Sequence, residues 1–300
     1  MKSGNWILAA LGSLLLSSSV VVGSSYALDI FGIFHDSKGK QLAVEHNERT
    51  AKLLLNVRYV PSNFDALLVG GSSTSNWRMS ALDFASFYNE SLYGSNNAEE
   101  KRLVDEALAK GQFRYAICLI NPYMLQSHEF HEGGGESPRR EALGSVNLLR
   151  EEFYGELRRT RGTPSPYWPD GGSAMPATTG IVDPFLSYTF QYDPIALRAF
   201  QQMLDELRSK GTRIIFLETP VYEPVYEKHR AEFDRFYASF PLRREDEPLI
   251  DFNLPKYAEF RSDPSRWVDP PHLNDASAVL ASEELNKAIH NALPALEKRP

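Results

Sequence analysis

Polar and apolar positions divide this chain into one long uncharged run followed by a regular alternation of short apolar bursts and longer amphipathic stretches. No charged residue lies between Lys2 and Asp29, and Trp6–Leu28 reads as one continuous helix. Beyond it, residues 64–69, 84–88, 115–120, 213–217 and 249–252 are short apolar runs bounded by turn residues, the signature of buried parallel strands. Between them, residues 98–110 repeat Leu103, Ala107 and Leu108 at helical spacing and stop at Gly111. Residues 194–210 place Leu197, Phe200, Leu204 and Leu207 on one face before Gly211. Residues 224–237 and 275–292 are further helices, and a helix is also expected soon after Ser72. Strands alternating with helices predict an α/β fold: a flavodoxin-like three-layer αβα sandwich around a mostly parallel five-stranded sheet, preceded by a hydrophobic helix.

The rhythm breaks between residues 126 and 193. This stretch holds Gly133-Gly134-Gly135, Thr163-Pro164-Ser165-Pro166 and Asp170-Gly171-Gly172, and reads as an irregular insertion with one helix over residues 139–159, laid over the sheet edge. With no internal repeat and no second boundary, residues 29–300 are expected to form a single domain.

The first 28 residues carry two readings. Trp6–Leu28 approaches the roughly 20 residues that a bilayer span requires, which favours an uncleaved signal anchor oriented N-in, C-out. Ser25-Tyr26-Ala27 also resembles a small-x-small cleavage site, the mark of a removed signal peptide. Both place the body outside the cytoplasm. A net charge of −7 with no basic patch argues against nucleic acid as a partner. The lone cysteine, Cys118, sits inside an apolar strand, where it serves as a small hydrophobe.

The chemistry gathers where the predicted strands end, the usual place for functional groups in such a sheet. Gly70-Gly71-Ser72-Ser73-Thr74 follows the run 66–69, and a serine on a Gly-x-Ser turn presents its hydroxyl at a strand mouth. Asp269-Pro270-Pro271-His272 precedes the last helix. An Asp and a His three residues apart can share one loop, so that the carboxylate orients the imidazole that deprotonates Ser72. Ser73 is the competing nucleophile. Gly94, through its backbone N–H, and Asn121, through its amide, are the candidate oxyanion donors; Asn121 can equally cap the bend before Pro122, and Asn89 reads as structural. His128, Glu129 and His131 are a loose set of possible metal ligands without a third well-placed partner, so a solvated loop is the plainer reading and a metal-dependent hydrolase the remoter one. Trp77, Tyr167 and Trp168 can stack on sugar rings if they reach the cleft, and otherwise pack in the core or a lid.

Taken in order, these motifs resemble the SGNH (GDSL-like) hydrolase superfamily. Gly70-Gly71-Ser72-Ser73-Thr74 matches its first block with Gly71 where Asp is usual; Gly94 matches the second-block glycine; Asn121 is similar to the third-block asparagine, without the usual Gly-x-Asn-Asp; Asp269 and His272 match the last block. A finer resemblance is to membrane-anchored SGNH-like proteins of bacterial cell-envelope polymer modification, the lipoteichoic-acid D-alanylation and alginate O-acetylation proteins. It is carried by the N-terminal run ending in Asp29-Ile30-Phe31-Gly32, by residues 65–72 and 88–94, and by His272-Leu273-Asn274. The resemblance implies an O-acyltransferase or esterase acting on a cell-surface or exported polysaccharide, at the periplasm or the outer face of the inner membrane. It also implies a membrane-bound O-acyltransferase as a possible partner. The alternative it leaves open is an inactive relative that binds a glycan or such a partner. Neither residues nor resemblance call for a cofactor or metal.

Overall fold

The computed structural model describes residues 3–40, 42, 48–126, 142–143, 145–162, 165, 167–175 and 180–297. Its sheet has five strands: β1 (Ala66–Val69), β2 (Phe87–Asn89), β3 (Tyr115–Leu119), β4 (Arg213–Glu218) and β5 (Leu249–Asp251). The order is β2-β1-β3-β4-β5, and every pairing is parallel. From β1 the chain winds to one side for β2 and returns to the other for β3. The topological switch point, where ligands bind in open α/β sheets, therefore lies beyond the ends of β1 and β3.

Period-two alternation splits the strand residues between two cores. Leu67, Val69, Ala116, Cys118, Ile214 and Phe216 face a layer formed by the helices Glu48–Asn56, Asn97–Leu108 and Pro194–Ser209, which contribute Leu54, Leu55, Val104, Phe200 and Leu204. Ala66, Leu68, Ile117, Leu119, Ile215 and Leu217 face the other layer, where the helix Asp275–Glu297 supplies Ala278, Ala281, Leu285 and Ile289. Each fully buried aliphatic side chain contributes about 1.5–3 kcal/mol against exposure, so both layers hold the sheet. The three-layer α/β expectation matches this architecture. Cys118 is wholly buried, and burial pushes its thiol well above the ordinary range.

Several elements differ in detail from the sequence reading. β2 begins at Phe87; Phe84 leaves the ladder and packs edge-on against Phe87 and Tyr115, with centroids 5.0 and 5.3 Å away. Past Ser72 there is only a 3₁₀ turn, Ser72–Thr74, because the chain dives to bury Trp77 against Phe252. The helix expected over 224–237 is two, Glu223–Lys228 and Arg230–Ala238, joined at His229. The helix Glu48–Asn56 has no counterpart among the elements expected from the sequence.

The N-terminal helix Ser3–Leu28 contains Trp6–Leu28, long and apolar enough for a membrane anchor or a signal sequence. The insertion includes the helix Val146–Thr160. Its residues 167–175 bond to the end of β2 and to the serine turn: Asn89 N–H donates to Asp170 O (2.7 Å) and Ser173 N–H to Ser75 O (2.8 Å). Gly171 has φ +84°, and a Cβ there would sit 2.4 Å from Asn89 O, so only glycine permits this approach.

Candidate active site

Gly70 lets the turn after β1 close. A Cβ on it would lie 2.4 Å from Thr74 Oγ1. The turn is fastened by Thr74 N–H and Oγ1–H, both donating to Gly71 O (3.1 and 3.0 Å), and by Ser75 N–H donating to Ser72 O (3.2 Å). Asn89 is structural: its Nδ2 donates to Thr74 O (2.9 Å) and its Oδ1 accepts from Ser91 N–H (3.0 Å), tying the Ser72 turn to the loop that carries Gly94.

Asp269 and His272 sit opposite each other on a two-stranded antiparallel ribbon, Trp267–Asp269 with His272–Leu273, turned by Pro270 and Pro271. Trp267 and Leu273 are buried and root the ribbon in the core. Asn76 Nδ2 donates to Leu273 O (2.8 Å), so the chain just beyond the serine turn holds the ribbon in place. His272 Nδ1 is 2.6 Å from Asp269 Oδ1, and His272 Nε2 is 2.8 Å from Ser72 Oγ. An ionised carboxylate only accepts, so Nδ1 carries the proton and Nε2 is left to accept from the Ser72 hydroxyl. Ser73 is buried and pairs with Thr219 Oγ1 at 3.5 Å; no imidazole bonds to it among the described residues.

A cleft of about 410 Å³ opens over this triplet. Its lining includes Gly71, Ser72, Gly94, Asn121 and His272, together with Tyr123, Met124, Val182, Pro184 and Tyr188. Gly94 has φ +60°, a conformation that glycine adopts without strain. Asn121 is both cap and lining: its Oδ1 accepts from Tyr123 N–H (2.8 Å) at the start of the helix Pro122–Leu125, which leaves its NH₂ as the group free to donate. A Cβ on Gly71 would meet Met124 Sδ at 3.2 Å. Met124 thus packs against the side of the turn that a side chain at position 71 would occupy.

The loop from Asn89 to Gly94 is held from below by charged side chains of Glu48–Asn56. Tyr93 N–H donates to Glu48 Oε2 (3.0 Å), Arg49 Nη2 donates to Tyr93 O (2.8 Å), and Arg49 Nε donates to Glu99 Oε1 (2.7 Å). Lys52, fully buried, donates to Asn89 O (3.0 Å) and Ser91 O and lies 3.7 Å from Glu48. Beside it, burial pushes the Glu90 carboxyl up to about 7, with Lys52 pulling the other way; burial also raises Glu100.

The segment of the lining at Val182 and Pro184 is pinned through Asp183 between them. Its carboxylate accepts from Phe185 N–H (3.0 Å), Lys228 Nζ (2.7 Å) and His229 Nε2 (2.9 Å). Desolvation raises its pKa, but the bonds from Lys228 and His229 outweigh that and hold it below the usual carboxylate range.

The sequence reading named Ser72, Gly94, Asn121, Asp269 and His272, and all five line this one cleft. It did not name Tyr123, Tyr188, Asp183 or the Glu48–Arg49–Lys52 group. The available signals were the Asn-Pro-Tyr step at the end of β3 and the Glu48–Lys52 spacing before Leu53-Leu54-Leu55. Trp77 is core, and Trp168 packs under the Arg78 guanidinium, 3.2 Å from the ring centroid; with Tyr167, they lie outside the cleft lining. His128, Glu129 and His131 lie outside the described residues. Among the described residues no group of three metal-ligating side chains occurs.

No protein-family model matches the chain, and no curated protein matches it. One matching solved structure is described as "The structure of a putative platelet activating factor from Streptococcus pneumonia". It is 14% identical, the match covers 83% of this chain and 92% of that one, and the TM-score is 0.38, a similarity too low to bear on function.

Proposed function

We propose that this chain is an extracytoplasmic serine-dependent O-acyl esterase or O-acyltransferase acting on a cell-surface or exported polysaccharide. The observation that carries the reading is the hydrogen-bonded series Ser72–His272–Asp269 at the mouth of a cleft, at the switch point of a parallel sheet.

Ser72 Oγ attacks the acyl carbonyl carbon as His272 Nε2 takes its proton, and Asp269 holds Nδ1–H and stabilises the imidazolium. Charge on the carbonyl oxygen is met by Gly94 N–H and the Asn121 amide. On collapse, the leaving alkoxide takes the proton from His272 and Ser72 keeps the acyl group. Water then gives an esterase; a sugar hydroxyl gives a transferase. The apolar N-terminal helix favours work beside a membrane, with a membrane-bound O-acyltransferase as the partner class.

The test is hydrolysis of p-nitrophenyl acetate by the wild-type chain, Ser72→Ala and Ser73→Ala, with and without an oligosaccharide acceptor. Turnover lost only in Ser72→Ala supports the reading, and acetylated acceptor assigns a transferase. A folded wild-type chain with no turnover refutes autonomous catalysis and turns attention to glycan or partner binding.

A further inference from the structure

We propose that the Tyr123 hydroxyl is a further catalytic group, a third donor to the oxyanion; this rests on the serine reading above. The residue is held at both ends. Its backbone N–H is fixed by the Asn121 cap at 2.8 Å, and its ring lies against Tyr188, centroids 6.1 Å apart and planes at 40°. Between these constraints the side chain lines the same cleft as Ser72 and His272. Its hydroxyl is the atom that a Cβ on Gly94 would meet first, at 3.9 Å. The phenol therefore sits over the bare backbone of the proposed oxyanion glycine, on a side chain 37% exposed, and among the described residues its oxygen has no hydrogen-bond partner.

A phenolic hydroxyl that bonds no protein atom among the described residues can donate to a substrate. The carbonyl oxygen of a substrate attacked by Ser72 is the acceptor that this position offers. Gly94 and Asn121 belong to the segments that follow β2 and β3, and both line the cleft with Tyr123. Gly71 has no side chain to contribute, and Met124 closes that side. Donors fixed before the reaction cost no reorganisation when charge develops.

Tyr123→Phe removes one oxygen and keeps the ring contact with Tyr188. With p-nitrophenyl acetate, kcat should fall roughly 10²-fold, the scale of one lost oxyanion donor, with KM within about twofold. The rate of phosphonylation of Ser72 by a fluorophosphonate, whose P=O oxygen occupies the same site, should fall in parallel. Tyr154→Phe, at an exposed tyrosine outside the cleft lining, should leave both rates within about twofold. An unchanged kcat in Tyr123→Phe, or a raised KM with kcat intact, overturns the proposal while the serine reading stands. A wild-type chain that neither hydrolyses the ester nor labels at Ser72 overturns both.

Discussion

Glu90 offers a quantitative check on the support beneath the active-site loop. Its side chain is fully buried next to Lys52, and burial carries its pKa from an ordinary 4.5 to about 7. The sign follows from proton counts. Between these values the folded protein holds the proton and the unfolded chain has released it, so stability falls as pH rises through the window. At about 1.4 kcal/mol per pH unit, the loss from this group is about 3 kcal/mol, complete above pH 7 and absent below 4.5. Glu90→Gln keeps the shape and removes the titration. For a chain of this size 3 kcal/mol corresponds to about 5 °C in Tm. The assay is thermal unfolding of both proteins from pH 4.5 to 8. The Tm of the variant relative to wild type should climb by about 5 °C across that range. Glu218, which burial and then Asp251 push up to about 9, is common to both proteins and cancels in the comparison. A difference that stays flat with pH, or that moves the other way, would refute the reasoning.

Three further predictions concern the cleft. Asp269→Asn should lower kcat for p-nitrophenyl acetate by roughly 10³–10⁴-fold with little loss of fold, because an amide permits the wrong imidazole tautomer; a far-ultraviolet spectrum and steady-state kinetics check both halves. Arg49→Ala should release Tyr93 O and Glu99, destabilise the protein by about 1–3 kcal/mol in urea unfolding and lower kcat more than it raises KM, since it loosens the loop bearing Gly94. Asp183→Ala should free the wall of Val182, Pro184 and Tyr188 from Lys228 and His229; KM should rise several-fold with kcat nearly kept, as measured with the same ester.

Much of this architecture is readable in the chain, and the exceptions have physical causes. β1, β3 and β4 are continuous apolar runs because both faces of each are covered, and such runs stand out without periodicity. β2 lies at the edge, is three residues long and is preceded by Phe84, an aromatic that packs against the sheet without joining it, so its start reads three residues early. No glycine or proline marks the break at His229, and the partner of its side chain, Asp183, lies 46 residues away. Glu48–Asn56 looks polar because its charges point inward to the Asn89–Tyr93 backbone, inverting the usual amphipathic rule. For the site, Ser72 and the Asp269–His272 pair are legible because each sits in a short local motif. Tyr123 is not, since a tyrosine after Asn-Pro acquires meaning only when the fold brings Gly94 beside it.

The central claim is that Ser72 is an activated nucleophile. The most direct measurement is intact mass and peptide mapping of the folded chain after a fluorophosphonate, compared with Ser72→Ala, Ser73→Ala and His272→Ala. The account predicts a single adduct on Ser72, retained in Ser73→Ala, absent in Ser72→Ala and strongly slowed in His272→Ala. An adduct on Ser73, or none on the folded wild-type protein, would contradict it.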